Sequence, residues 1–184
     1  MKKLAYFVLV PAALAAVASA QTERSFPGIS TTQMQQLRTA KRWTALPLPT
    51  WVPTGFKIEK IKMNLGAKVP IQFRVLEIVY SRRLPNGKLQ RFGIEAGFEG
   101  IGDLPYEATS SVRSGVGQID IAYEPPDLDG GGTKTRGYVV THWFEVGKTP
   151  FHYDGMYGTE SEKKRLAMIS LADTQKILRS LQRF

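Results

Sequence analysis

The apolar residues of this chain change their spacing at Gly55. Before it they fall at helical intervals or between prolines. Over residues 55–154 they recur largely at every second position, the spacing of strands that bury one face against a core. A long period-two region followed by one amphipathic helical stretch predicts an α+β fold. The expected form is a curved antiparallel β-sheet of five to seven strands packed against a C-terminal helix, with a short N-terminal helix.

Within the period-two region, Phe56 and Ile58 share one face. The phase then slips so that Ile61, Met63 and Leu65 continue it, which predicts a bulge at Glu59-Lys60. A second strand is predicted over 73–80, with Leu76, Ile78 and Tyr80 on one face and Phe73, Val75 and Val79 on the other. The turn signal Pro85-Asn86-Gly87-Lys88 leads to a third strand over 89–98. A glycine-punctuated loop over 97–105 follows. Residues 116–123 alternate again, with Ile119, Ile121 and Tyr123 inward, and Pro125-Pro126 ends them. The flexible string Asp127-Leu128-Asp129-Gly130-Gly131-Gly132 leads to residues 138–146, which are apolar on both faces and expected at the centre of the sheet. Gly147-Lys148 then turns the chain into 151–154, a short last strand or edge.

Helix signals flank this region. Ser30 can cap a first turn while Gln33 reaches back to it, and Met34, Leu37 and Lys41 fall on one face at helical spacing with Ala40 beside them; this helix is expected to end near Trp43. The segment from Leu46 to Pro53 holds three prolines and must be extended, with its leucines and Trp51 packing it onto the domain. Residues 160–164 read as a charged loop, and 165–169 as a strand or a helix start. Ser170 and Asp173 mark the start of the terminal helix at Leu171. Its predicted apolar face is Leu171, Thr174, Ile177, Leu178 and Leu181, with Lys176, Arg179 and Arg183 in solvent.

The N-terminus bears on location. Lys2 and Lys3 precede an apolar run that ends in Ala18-Ser19-Ala20, the three-part pattern of a secretory signal peptide cleaved after Ala20. The run contains Pro11 and is shorter than the roughly 20 residues that a membrane span needs. The expected organisation is therefore a signal peptide at 1–20, an N-terminal segment with a short helix at 21–45, and a single α+β domain at 46–184. The mature chain is expected to be periplasmic or secreted, with no transmembrane segment. Absence of cysteine removes disulfides, thiol catalysis and a lipid anchor on cysteine. The net charge of +9, of which Lys2 and Lys3 supply two, favours anionic surfaces such as lipid headgroups or cell-wall polymers.

The string Trp51-Val52-Pro53-Thr54-Gly55-Phe56-Lys57 at the head of the sheet, the hairpin around Gly87, Trp143 before Gly147-Lys148, and the ending Ile177-Leu178-Arg179-Ser180-Leu181 together carry a resemblance. Over residues 46–181 the chain resembles an exported bacterial domain with a Leu-Pro-x-Gly-Phe-type opening. That domain is found in bacterial lipoproteins and in the periplasmic parts of anti-sigma-factor-related proteins, and its form is similar to the periplasmic regulator of the envelope-stress sigma factor. Here Trp51-Val52 stands where a Tyr-Leu pair is usual. The resemblance implies a non-enzymatic sensing or ligand-binding role.

Catalytic and cofactor motifs are not recognisable. His142 and His152 with Asp154 or Glu145 could in principle hold zinc, but two ordinary partly buried rings are the expectation. Asp127-Leu128-Asp129-Gly130 lacks the remaining ligands of a calcium loop, and Gly97, Gly100 and Gly102 lack the helix start of a phosphate cradle. Ser114 lacks a nucleophile elbow. No cofactor, metal or catalytic residue is therefore assigned. The candidate binding face is basic: Lys57, Lys60, Lys62, Arg74, Arg82, Arg83, Lys88 and Arg91 would form a positive stripe if the first three strands are neighbours. The expected function is binding or sensing in the cell envelope, to a protein, a lipid or an anionic polymer, without specific nucleic acid. The alternatives are a periplasmic carrier of an apolar ligand, like half-barrel lipoprotein chaperones, and a hydrolase with an unrecognised site.

Overall fold

The computed structural model describes residues 26–99, 105–126 and 137–184. The signal peptide expected at 1–20, part of the glycine-punctuated loop (100–104) and the acidic glycine string at 127–132 lie outside the described residues. Among the described residues the elements are, in chain order, α1 (Thr31–Ala40), β1 (Pro47–Pro49), β2 (Lys57–Asn64), β3 (Val75–Arg83), β4 (Leu89–Ala96), β5 (Ser110–Ser114), β6 (Gly117–Glu124), β7 (Tyr138–Thr141), β8 (Phe144–Val146), β9 (Thr149–Asp154), α2 (Glu160–Lys163), α3 (Leu171–Arg179) and β10 (Leu181–Arg183). A 3-10 turn at Ile71–Phe73 lies between β2 and β3. No helix among them is long and apolar enough to cross a membrane.

The class is α+β, with an antiparallel sheet, a C-terminal helix and a short N-terminal helix. The sheet has eight strands, in the order β2-β3-β4-β9-β7-β6-β5, with β8 also paired to β9. Local chemistry accounts for much of it. Ser30 caps α1 in a reciprocal box with Gln33, and Ser170 accepts the Asp173 amide at the head of α3. The β2–β3 register shifts between Ile58 and Lys60, leaving Glu59 as the bulged residue. Gly87 takes the left-handed conformation (φ 79°) that the β3–β4 turn requires.

Several elements differ from the sequence reading. The strand predicted over 73–80 begins only at Val75, because Phe73 ends the 3-10 turn. The segment 138–146 is two strands rather than one. It bends at His142-Trp143, where the His142 amide bonds Asp120 O and the Thr141 hydroxyl, in place of a backbone carbonyl, accepts the Tyr153 amide. The strand at 151–154 is not an edge, because β9 sits between β4 and β7. Residues 160–163 form a helical turn capped by Thr159. The terminal helix stops at Ser180, whose hydroxyl donates to Ile177 O, and Leu181 enters β10 instead of the helix face. There β10 pairs with β1, Leu48 opposite Gln182, so the proline arm is a strand of a second, two-stranded sheet. Leu46 and Leu48 pack inward as expected, whereas Trp51 is exposed beneath the Lys176 ammonium. Strand β5 carries no alternation signal in the sequence, since four of its five positions are polar and Val112 is its one apolar residue.

One face of the sheet, the inner face, packs on α1, α3 and the small sheet. Leu37 and Ala40 of α1, Leu48, and Ile177 and Leu178 of α3 join Ile78, Ile94, Ile119, Ile121 and Phe151 in one core. At its centre the Phe92 ring stacks on Tyr80 at 4.7 Å and lies 5.2 Å from Phe56 and 5.4 Å from Tyr153. Replacing Phe92 by alanine removes the ring that the other three share. A loss of about 3–5 kcal/mol is expected by urea denaturation, against little change for truncation of an exposed side chain such as Lys88.

Candidate functional site

The opposite, outer face of the sheet carries the charges, and the register decides which of them meet. Lys57, Lys60 and Lys62 of β2 stand opposite Ser81, Val79 and Glu77 of β3, and all three lysines are exposed. Arg91 of β4 stands opposite Ser81 on the same face. The register thus places five of the eight predicted basic residues on this face, with Arg83 at the end of β3 as the fifth. It does not gather the rest into a stripe.

Arg82 follows Leu76, Ile78 and Tyr80 in the alternation and lies on the inner side. There it covers the Phe56 ring, donates to Gln90 Oε1 and Thr54 O, and lies 3.8 Å from Asp173 of α3. Arg74 turns back to Val69 O, and Arg83 to Gly87 O. Lys88 belongs to the β3–β4 turn. Even Arg91 is neutralised, since it holds Glu59 through two nitrogens, at 2.7 and 3.0 Å, and Glu162 at 3.1 Å. The bulge explains this contact, because Glu59 is left without a strand partner and its carboxylate reaches across to β4. The β2 lysines remain, with Lys62 bonded to Glu77 at 2.9 Å. Lys57 and Lys60 have no ion-pair partner among the described residues.

Beside this row lies a groove of about 420 Å³, lined by Lys60, Glu77, Glu95, Asp154, Tyr157 and Glu162 together with Gly158 and Thr159. One residue from each of four adjacent strands forms its floor, and the segment leading into α2 forms its wall. Gly93 of β4 makes this possible, because a Cβ there would fall inside the Tyr157 ring. Tyr157 donates to Glu95 Oε2 at 3.3 Å. Its phenol is pushed well above its ordinary pKa, first by burial and then by the neighbouring Glu95 and Glu77 carboxylates, so it acts as a donor and not as a base. Glu95 is held below the usual carboxylate range, chiefly by its contact with His152, whose Nδ1 lies 3.6 Å from Glu95 Oε1. Lys163 closes the wall on Asp154 at 3.1 Å.

The sequence reading did not identify Glu77, Glu95, Tyr157 or Glu162, and named Asp154 only as a possible zinc ligand. Alternation alone places Glu77 and Glu95 on the outer face; the central position of β9 and the helical turn α2, which bring in Asp154 and Glu162, needed the tertiary pairing. His152 is buried on the outer side against Trp143, with ring centroids 5.4 Å apart, and its Nε2, like that of His142, is buried without a hydrogen-bond partner among the described residues. Among the described residues no three histidine or acidic side chains converge as a metal site, so the His142, His152, Asp154 and Glu145 arrangement considered above is not formed. Ser114 serves a turn, accepting the Val116 amide and donating to Gly117 O.

Comparison with known proteins gives no further guide: no family model, no curated protein and no solved structure matches the chain.

The α2 cap is the most strongly polarised part of the wall. Glu162 accepts from the Thr159 amide and hydroxyl and from Arg91, and its carboxyl is pushed down to about 2. A depressed folded value means that the cap is complete above the unfolded value of about 4.3 and is lost as pH falls through about 2. An NMR titration of the Glu162 side chain is expected to give a midpoint near 2. In Thr159→Ala the midpoint should rise toward about 4.3, with faster amide exchange in α2 and an unchanged core.

Proposed function

We propose that this chain is a non-enzymatic binding domain of the bacterial cell envelope that engages an anionic partner through the outer edge of its sheet. The observation that carries this reading is the lysine row of β2. Lys57, Lys60 and Lys62 line the outer face of an edge strand, exposed and side by side, with the net positive charge of the chain behind them. The export-type N-terminus supports the location, as does the resemblance to periplasmic regulatory domains.

Two further features favour a surface-binding module over the alternatives. The space between sheet and helices, where a carrier would hold an apolar ligand, is occupied by Phe56, Tyr80, Phe92 and Tyr153 in ring-to-ring contact. A hydrolase would need an activated nucleophile. The outer groove instead offers carboxylates tied to cations and a phenol kept protonated.

Retention on immobilised polyphosphate at low ionic strength tests the reading. The wild-type chain is expected to bind and to be released by salt, as screened attraction requires. Lys57→Glu/Lys60→Glu/Lys62→Glu should weaken binding by about tenfold or more, whereas Glu95→Gln in the groove should not. Equal retention of the triple variant and the wild type would contradict the proposal.

A further inference from the structure

The β2–β3 hairpin ends in an unusual way. Its connection, Leu65-Gly66-Ala67-Lys68-Val69-Pro70-Ile71-Gln72-Phe73-Arg74, is apolar at six of ten positions and contains no acidic residue. Soluble loops are commonly polar at their tips, yet here Phe73 is 61% exposed and Ile71 47% exposed. These are two of the four large apolar side chains that stand exposed among the described residues, and one 3-10 turn holds both.

The tip is braced. The Val69 amide bonds Gly66 O, the Phe73 amide bonds Pro70 O and the Arg74 amide bonds Ile71 O, at 3.0–3.1 Å. Asn64 Nδ2 then ties the strand end to Phe73 O at 2.8 Å, and the Arg74 guanidinium ties the far side to Val69 O at 3.1 Å. These bonds matter because an apolar surface that leaves water must not take unsatisfied backbone groups with it. The tip presents Ile71 and Phe73 while several of its own amides and carbonyls are already paired.

Charge identifies what such a surface meets. Over residues 60–76 the chain has four basic residues, Lys60, Lys62, Lys68 and Arg74, and no acidic one. Lys68 is exposed on the tip itself, and Lys60 and Lys62 stand on the strand directly behind it. An apolar projection with cations set behind it matches the boundary of an anionic bilayer, where the rings and branched chains enter the acyl border and the ammonium groups stay at the phosphates. We propose that the β2–β3 tip docks the domain on the surface of a membrane containing anionic lipid, with Phe73 and Ile71 inserted and Lys60, Lys62 and Lys68 on the headgroups. This rests on the anionic-partner reading above and names the partner as a lipid surface.

The cysteine-free chain allows a site-specific test. Gln72→Cys places a single environment-sensitive fluorophore on the tip, and Arg113→Cys places one on β5, the opposite edge of the sheet. With vesicles of phosphatidylcholine containing phosphatidylglycerol, the Gln72 label should shift to shorter wavelength and be quenched by nitroxide lipid, while the Arg113 label should not. Ile71→Ser/Phe73→Ser should lower the vesicle-bound fraction by about tenfold or more while keeping polyphosphate retention and the wild-type circular dichroism. Identical responses from the two labels, or vesicle binding that survives loss of both apolar side chains, would overturn the membrane inference. If polyphosphate retention persisted in that case, the broader anionic-partner reading would stand; if it too were absent, both would fall.

Discussion

The pairing of β9 between β4 and β7 holds the molecule together. Without it the sheet would be two antiparallel blocks, β2-β3-β4 and β7-β6-β5, each with an exposed inner edge. Joining them depends on few contacts: Gly93 to Ala96 of β4 on one side, Val140 of β7 on the other, and the Thr141 hydroxyl accepting the Tyr153 amide where the backbone ladder breaks at the bend. The same six residues build both faces. Phe151 and Tyr153 point into the core, whereas His152 meets Glu95 and Asp154 enters the outer groove. Core packing and the geometry of the charged surface are therefore one structural problem.

Signals set by neighbours along the chain were legible in the sequence. The capping box at Ser30, the Ser170 cap, the bulge at Glu59, the turn at Gly87 and the strand alternation of Leu76, Ile78 and Tyr80 each depend on residues a few positions apart. Features set by distant pairing were not. Residues 151–154 look the same locally whether they lie at an edge or in the centre. Leu181 follows Leu178 at a helical interval, so only its pairing with Pro49 of β1 makes it a strand residue. The turn α2 has no apolar face and gave no periodic signal, although Thr159 and Glu162 stand at capping-box spacing.

The candidate site divides along the same line. Alternation already excluded Arg82 from the outer face, since it continues the parity of Tyr80, and that exclusion could have been drawn from sequence. The neutralisation of Arg91 could not, because it depends on a bulge on one strand and a helical turn many residues later. What remains after these pairings is a small cationic surface: Lys57 and Lys60 on an edge strand, with Lys62 beside them paired to Glu77, continued by a braced apolar tip. Edge lysines also discourage unwanted strand addition, so this surface protects the β2 edge whether or not the proposed anionic partner is bound.

Amide hydrogen exchange resolved by residue tests the central position of β9 most directly. If β9 joins the two halves, the amides of residues 151–154 exchange only through global unfolding, as slowly as those of Phe92 and Ile94 in β4. Exchange of residues 151–154 at the rate of the free edges of β2 and β5 would contradict this account, leaving the two halves of the sheet and the outer groove without their common strand.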